Sequence, residues 1–219
     1  MLELIIGLDS SGNEISKDLS DLGHLFVSYL EDKQIKKIAE HLLEVGSNEV
    51  GRVLIICKDS NLIDLRYYTF TESYLYNNPE NGTIKNKKNL FISVKKEVRK
   101  QQKSKHTKSK KTLIWIDDMW QFYPKFTDKK SISDFRQLLQ NGHLFNIHFI
   151  IGSILPYRNL LLQLMRNDPL GENRNLIAEL GAELIYSPDE LVFFRESNND
   201  KQEIYYPIES NLSLVEVDE

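Results

Sequence analysis

The stretch Thr112-Leu113-Ile114-Trp115-Ile116-Asp117-Asp118 decides the fold class, because a run of strand-forming, mostly apolar residues ends abruptly in two acids. Such a run is typical of a strand that is buried on both faces of a parallel sheet. Three other runs have the same character, at residues 24–28, 53–57 and 147–151. We predict that these four runs are the central strands of a mainly parallel sheet.

Helical patterns separate the predicted strands. Between the first two, apolar residues recur at the spacing of a helix with one buried face, at Ile35, Ile38, Ala39, Leu42 and Leu43. Further helical patterns begin after Asn89, after Ser131 as an N-cap, and near Pro156. Two strand-like segments, 190–195 and 203–206, flank a turn-rich segment and predict a β-hairpin. The prediction is a three-layer α/β/α fold with a C-terminal β-hairpin.

Composition limits the classes of function. The 219 residues carry a formal net charge of -4, so the chain as a whole does not attract phosphate backbones. The single cysteine, Cys57, excludes an internal disulfide framework and fits a reducing compartment. No apolar stretch approaches the roughly 18 residues of a membrane-spanning helix, so we expect this domain itself to be soluble.

The acid pair has the form of a nucleotide site. In the pattern of an apolar strand followed by two acids, the first carboxylate, here Asp117, handles Mg²⁺ and the second, Asp118, positions the attacking water. One strand later, Ser153 stands where a sensor for a γ-phosphate would lie. Asp117 is therefore the candidate metal ligand, and all three residues are candidate cofactor contacts. The alternative is that an apolar strand ends in two acids by chance.

A phosphate-binding loop is missing from the sequence. A P-loop needs GxxxxGK[ST] after the first buried strand, since glycines let backbone N–H groups wrap the phosphates. Here the segment from Tyr29 to Lys37 contains no glycine and places Glu31 and Asp32 where an anion should sit. Lys33 or Lys36 could replace the missing lysine, although a lysine at such a turn is commonly just exposed. We therefore predict that no ordinary phosphate cradle forms.

Two segments are candidate partner surfaces. Residues 95–111 hold nine Lys or Arg against one acid, and Lys100 and Lys103 are the predicted contacts for nucleic acid or an acidic partner. The alternative is a solvated charged surface. The second segment is aromatic, with candidate contacts Tyr68, Phe70, Tyr74 and Tyr76. Its alternative is a hairpin in which alternate rings are buried.

The amino-terminal segment carries a family resemblance. It reads Ile6-Gly7-Leu8-Asp9-Ser10-Ser11-Gly12-Asn13-Glu14-Ile15-Ser16-Lys17-Asp18-Leu19 and then Gly23-His24-Leu25-Phe26-Val27. This order resembles the opening of the FtsK/SpoIIIE-type ATPase domain, a short hairpin of the form hGxDxxGxxxxxDL followed by the strand that leads into the P-loop. Segments 145–150 and 180–183 are also similar to family segments and come in family order. The resemblance covers most of the chain and implies a P-loop NTPase-like (RecA/FtsK-like) form of the α/β/α fold.

Within that family the chain is most similar to the C-terminal, degenerate ATPase domains of type VII secretion motors, the EssC/EccC proteins. The resemblance implies that residues 1–219 form one domain near the C-terminal end of a larger membrane-anchored protein, on the cytoplasmic face of the bacterial membrane. It further implies a non-catalytic module that docks secreted substrates or adjacent ATPase domains and regulates the active ones. The family's cofactors are ATP and Mg²⁺, and without the P-loop we expect neither to bind, or only weakly.

Three alternatives stay open. The chain could be a module of an FtsK-like DNA translocase or conjugation coupling protein, with segment 95–111 facing the duplex and weak residual nucleotide binding. It could be an ATPase of altered loop chemistry, in which Lys33 or Lys36 and Asp117 hold Mg-nucleotide. It could also be a plain interaction domain without a motor.

Overall fold

The computed structural model describes residues 3–29, 38, 50–57, 71–75, 96, 99, 111–122, 129–154, 182–186, 192–196 and 202–206. The strands are β1 Glu3–Leu8, β2 Glu14–Asp18, β3 Leu25–Ser28, β4 Val50–Cys57, β5 Thr71–Leu75, β6 Lys111–Ile116, β7 Ile147–Ser153, β8 Ala182–Tyr186, β9 Val192–Glu196 and β10 Gln202–Tyr205. The helices are α1 Leu19–Leu22, α2 Met119–Phe122 and α3 Lys129–Asn141, which continues into a 3₁₀ turn, Gly142–Phe145.

One sheet organises the described part of the chain. Its strand order is β10-β9-β8-β3-β7-β6-β4-β5, and the neighbours from β8 to β5 are all parallel. The four predicted central strands, β3, β7, β6 and β4, lie side by side within it. β9 and β10 pair antiparallel, as predicted for the C-terminal hairpin. The predicted α/β fold class is therefore confirmed.

The sheet is buried on both faces, which explains the uninterrupted apolar runs. Because side chains alternate along a strand, one face presents Val27 and Trp115 and the other presents Phe26 and Phe149. All four are at most 1% exposed. On the second face the ring of Phe135 from α3 meets Phe149 edge-on, with ring centroids 5.7 Å apart. A strand covered on both sides needs apolar residues at every position.

The helix predictions were correct in type where they can be compared. Ile38 is helical and buried, as its position in the first pattern required. Lys96 and Arg99, in the second pattern, are helical and exposed. The predicted N-cap Ser131 is wrong, because α3 begins two residues earlier at Lys129. The helix predicted near Pro156 lies outside the described residues.

The amino-terminal hairpin explains most of the motif that carried the family resemblance. Asp9 Oδ1 accepts the N–H groups of Ser11 and Asn13 at 2.8 and 2.9 Å, and hydrogen bonding from the Asn13 side chain lowers the pKa of the Asp9 carboxyl. Gly12 completes the turn at φ +81°, where a side chain would be strained. Asp18 then caps α1 by accepting the N–H of Ser20 at 2.8 Å. These motif positions build a turn and a cap.

The same hairpin is joined to the C-terminal end of the sheet. Leu8 and Tyr206 exchange backbone hydrogen bonds of 2.8 and 2.9 Å. A Cβ on Gly7 would lie 2.8 Å from the Tyr205 Cβ, so only glycine fits at this approach. Lys17 Nζ lies 2.9 Å from Glu203 Oε2 and 4.7 Å from the centroid of the Phe194 ring. The first and last described strands thus stabilise each other.

Two buried histidines lie at the amino ends of the central strands. The Phe149 N–H donates to His24 Nδ1 at 3.1 Å, so the protonated Nε2 of His24 donates to the Leu139 carbonyl at 2.7 Å. His24 in its neutral form therefore links β3, β7 and α3. Burial lowers the pKa of His24 to about 3. Burial also lowers the pKa of His148, whose Nδ1 lies 2.9 Å from the Gly23 carbonyl oxygen.

Part of the aromatic segment lies within the described residues. Thr71–Leu75 forms β5, and β5 pairs parallel with β4 at the end of the described sheet order. Tyr74 is therefore on a strand of the parallel part of the sheet. Tyr68, Phe70 and Tyr76 lie outside the described residues. Among the helices of the described residues, none is long and apolar enough to cross a membrane.

Candidate functional site

The carboxyl ends of β3, β7 and β6 bring the candidate residues together. These strands are neighbours in the sheet, and ligands of open α/β sheets bind outside the carboxyl ends of the strands. Ser153 ends β7, while Asp117 and Asp118 follow β6 directly. All three side chains are at most 3% exposed. The acid pair and Ser153 thus lie at the carboxyl ends of neighbouring strands.

The carboxylate of Asp117 is used by the backbone that follows it. Its Oδ1 accepts the N–H of Asp118 at 2.6 Å, while its own N–H donates to the Ile56 carbonyl at 3.0 Å and extends the ladder between β4 and β6. The Phe122 N–H donates to the Asp118 carbonyl at 2.9 Å and opens α2. Asp117 therefore shapes the turn from the strand into the helix, a structural task that requires no ligand.

Gly152 allows the acidic turn to lie against β7. An ideal Cβ on Gly152 would lie 2.3 Å from the Asp117 carbonyl oxygen and 3.1 Å from the Ile116 carbonyl oxygen. Real Cβ atoms essentially never approach backbone oxygen so closely, so any other residue would displace the turn. The glycine in the sequence Ile151-Gly152-Ser153 thus positions Asp117.

Tyr29 lies at the same edge of the sheet, directly after β3. It is 2% exposed and donates its backbone N–H to the Ser153 carbonyl at 3.0 Å. Its hydroxyl donates to the Asp117 carbonyl at 2.9 Å. The side chain therefore reaches from the end of β3 past β7 to the end of β6. The sequence analysis did not single out Tyr29 as a site residue.

Ser28 is a second residue that the sequence analysis missed. It ends β3, pairs in register with Ser153, and is 3% exposed. In the described part of the chain its Oγ is buried without a hydrogen-bond partner. The signal for both Ser28 and Tyr29 was their position at the carboxyl end of a central strand.

Most of the other candidate residues lie outside the part of the chain that the structure describes. Lys33, Lys36, Lys100 and Lys103 lie outside the described residues, and for Tyr74 only the backbone is described. Within the described ranges no group of three or more His, Cys, Asp or Glu side chains could hold a metal ion. Asp117 and Asp118 are thus a pair of acids without a third ligand of these types among the described residues.

Comparison with known proteins finds similarity in structure but no match in sequence. No family model and no curated protein matches the sequence. The solved structure of Thermomonospora curvata EccC, ATPases 2 and 3 with a signal sequence peptide, is similar with a TM-score of 0.64 at 13% identity. The similarity covers 95% of this chain and 41% of that one. EssC ATPases 2 and 3 from Geobacillus thermodenitrificans give a TM-score of 0.63 at 12% identity, over 96% of this chain and 46% of that one.

A third similar structure comes from a conjugation system. The pCW3 coupling protein TcpA, solved with ATPγS, gives a TM-score of 0.63 at 11% identity, over 94% of this chain and 66% of that one. The chain therefore has the fold of the ATPase domains in these solved structures. This confirms, at the level of fold, the resemblance carried by the amino-terminal motif. The chain spans less than half the length of the EccC and EssC structures that it matches.

Proposed function

We propose that the chain is a non-catalytic, ATPase-fold module of a type VII protein secretion motor. The observation that carries the proposal is that hydrogen bonds within the chain already hold Asp117. Asp117 Oδ1 accepts a backbone N–H at 2.6 Å, and the Tyr29 hydroxyl ties the Asp117 carbonyl to the end of β3. Asp117 is the predicted Mg²⁺ ligand, and one oxygen of its carboxylate is therefore already engaged within the described chain.

The sequence after β3 supports the same proposal. Binding of triphosphate in this fold relies on a nest of backbone N–H groups that glycines make accessible. Residues 29–37 hold no glycine, and Glu31 and Asp32 add negative charge near the phosphates. Lys33 or Lys36 could supply one positive charge, which replaces only one contact of such a nest. We therefore expect no hydrolysis, and neither ATP nor Mg²⁺ as a resident cofactor.

The solved structures that are similar to this chain support the proposed partners of the module. The EccC and EssC structures each contain two ATPase domains, and the EccC structure is a complex with a signal sequence peptide. We propose that this module lies on the cytoplasmic face of the bacterial membrane within a larger protein, contacts adjacent ATPase domains, and docks secreted proteins. Its aromatic segment, with Tyr68, Phe70, Tyr74 and Tyr76, is the proposed docking surface, together with Lys100 and Lys103 of the basic segment 95–111.

Peptide binding tests the proposal. Fluorescence anisotropy with a labelled type VII signal peptide and a scrambled peptide of equal composition would measure docking by the 219-residue chain. Preferential binding of the signal peptide, reduced when Tyr74 is changed to Ala, is the expected result. Equal affinity for both peptides would contradict a docking role.

A second candidate function is a module of a DNA translocase or conjugation coupling protein that retains weak nucleotide binding. It is supported by the similarity to TcpA and by Lys96 and Arg99, which are exposed on a helix within the basic segment. Duplex binding through lysines weakens steeply with salt. Anisotropy with duplex DNA at 50 and 200 mM salt separates the two functions. Tight, salt-sensitive duplex binding that Lys96→Glu with Arg99→Glu abolishes would favour this candidate.

A further inference from the structure

Tyr29 connects the carboxyl ends of three neighbouring strands through two hydrogen bonds. Neighbouring strands lie about 4.8 Å apart, so β3 and β6 are separated by roughly 10 Å across β7. The Tyr29 backbone N–H bonds to the last residue of β7, and its hydroxyl bonds to the first residue after β6. A single residue thus holds the carboxyl ends of β3, β7 and β6 together.

The space for this contact comes from Gly152. An ideal Cβ at Gly152 would lie 2.3 Å from the Asp117 carbonyl oxygen, and the Tyr29 hydroxyl donates to that same oxygen. Asp117 therefore contacts both the backbone of β7 and the Tyr29 phenol. Its carboxylate accepts the N–H of Asp118 at 2.6 Å while the backbone is held in this position.

We propose that Tyr29 is a built-in closure of the carboxyl edge, which fixes the acidic turn without any ligand. In open α/β sheets a ligand at the carboxyl ends can bridge several strands, and here a side chain of the chain itself makes the bridge. The proposal concerns the edge alone and holds whatever the module binds.

Amide hydrogen exchange of the whole chain tests the closure. Tyr29→Phe keeps the ring and the backbone bond but loses the hydroxyl. Exchange at the amides of Asp117 and Asp118 is expected to be about tenfold faster, a local loss typical of one buried hydrogen bond. Exchange in β9 and β10 is expected to stay unchanged. Tyr205→Phe is the matched control, because it removes a hydroxyl that donates to Glu203 at the other end of the sheet.

Unchanged exchange at Asp117 and Asp118 in folded Tyr29→Phe would overturn the proposal, as would an equal effect of Tyr205→Phe on these two amides. A measurement on the unmodified chain covers the case in which the variant does not fold. There, without any ligand, the amide of Asp118 must be protected as strongly as those of Ile114 and Trp115 in β6. Fast exchange at Asp118 alone would overturn the closure.

Discussion

Gly152 and Asp117 are in backbone contact so close that a methyl group on Gly152 would lie 2.3 Å from the Asp117 carbonyl oxygen. The contact sets β7 against the turn that follows β6. It makes the position of the first acid depend on the absence of a side chain one strand away.

Gly152→Ala should therefore be among the more damaging single-methyl changes in the chain. The added Cβ meets backbone rather than a flexible side chain, so we expect a loss of about 3 kcal/mol, at the upper end for overpacking. Urea unfolding measures it. Gly12→Ala is the comparison, since its φ of +81° is strained but the space around it is open, and about 1 kcal/mol is expected there. A smaller loss for Gly152→Ala than for Gly12→Ala would contradict the geometry.

The acid at position 117 should act through one oxygen of its carboxyl group. Asp117→Asn retains an oxygen that can accept the Asp118 N–H, whereas Asp117→Ala leaves that N–H without its acceptor. We expect about 1–2 kcal/mol of destabilisation for Ala and about half of that for Asn. Thermal unfolding monitored by circular dichroism compares the two variants. If Asn is as damaging as Ala, the charge rather than the hydrogen bond has the structural role.

The buried histidines should make the protein sensitive to acid. The pKa of His24 is lowered to about 3 in the folded state, whereas its ordinary value is 6.5. Between these two pH values the unfolded chain therefore binds a proton at His24 and the folded chain does not. The stability from neutral His24 is therefore complete above about pH 6.5 and is lost as pH falls towards 3. The loss approaches about 1.4 kcal/mol per pH unit for one such group. The lowered pKa of His148 acts in the same direction.

Urea midpoints between pH 8 and pH 4.5 measure this slope. In His24→Gln the absolute stability is expected to fall, because Gln cannot reproduce both hydrogen bonds of the imidazole. The diagnostic quantity is the pH slope, which should become shallower below pH 6.5. A slope identical to that of the unmodified chain would show that His24 is not a source of the acid sensitivity.

Lys17 should contribute more to stability than its ion pair alone. The pair with Glu203 is partly exposed, at 23% and 31% of the two side chains, and such pairs contribute about 0–1 kcal/mol. Lys17 also lies over the Phe194 ring, which adds about 0.5–1 kcal/mol. Lys17→Met should cost more than Glu203→Gln, and only part of the Lys17 effect should disappear in 1 M salt. If Lys17→Met and Glu203→Gln lower the free energy of unfolding equally, the contact of Lys17 with the Phe194 ring makes no separate contribution.

The fold could be predicted from the sequence because its information is local and redundant. Four apolar runs mark strands that are buried on both faces. The strand at 111–116 ends directly before Asp117 and Asp118, where the sequence pattern predicted its end. The cap of α3 was misassigned because Ser131 is one of several polar residues at that end, and helix starts vary by one or two residues.

Only some residues of the candidate site could be predicted from the sequence. Asp117, Asp118 and Ser153 are polar residues at strand ends, which sequence alone reveals. The contributions of Tyr29 and Gly152 depend on which strands are neighbours, and the order β3-β7-β6 is not written in any local pattern. Tyr29 in the sequence is simply the residue after a strand, and only tertiary structure shows its hydroxyl on Asp117.

The central claim is that this ATPase-fold module has no working nucleotide site. Isothermal titration calorimetry of the 219-residue chain with Mg-ATP, beside Asp117→Ala, tests it most directly, with a thermal shift assay as the check on folding. The account predicts no binding heat and no stabilisation at millimolar nucleotide for either protein. Micromolar binding that Asp117→Ala abolishes would contradict it, and would mean that the glycine-free segment after Tyr29 still holds phosphate.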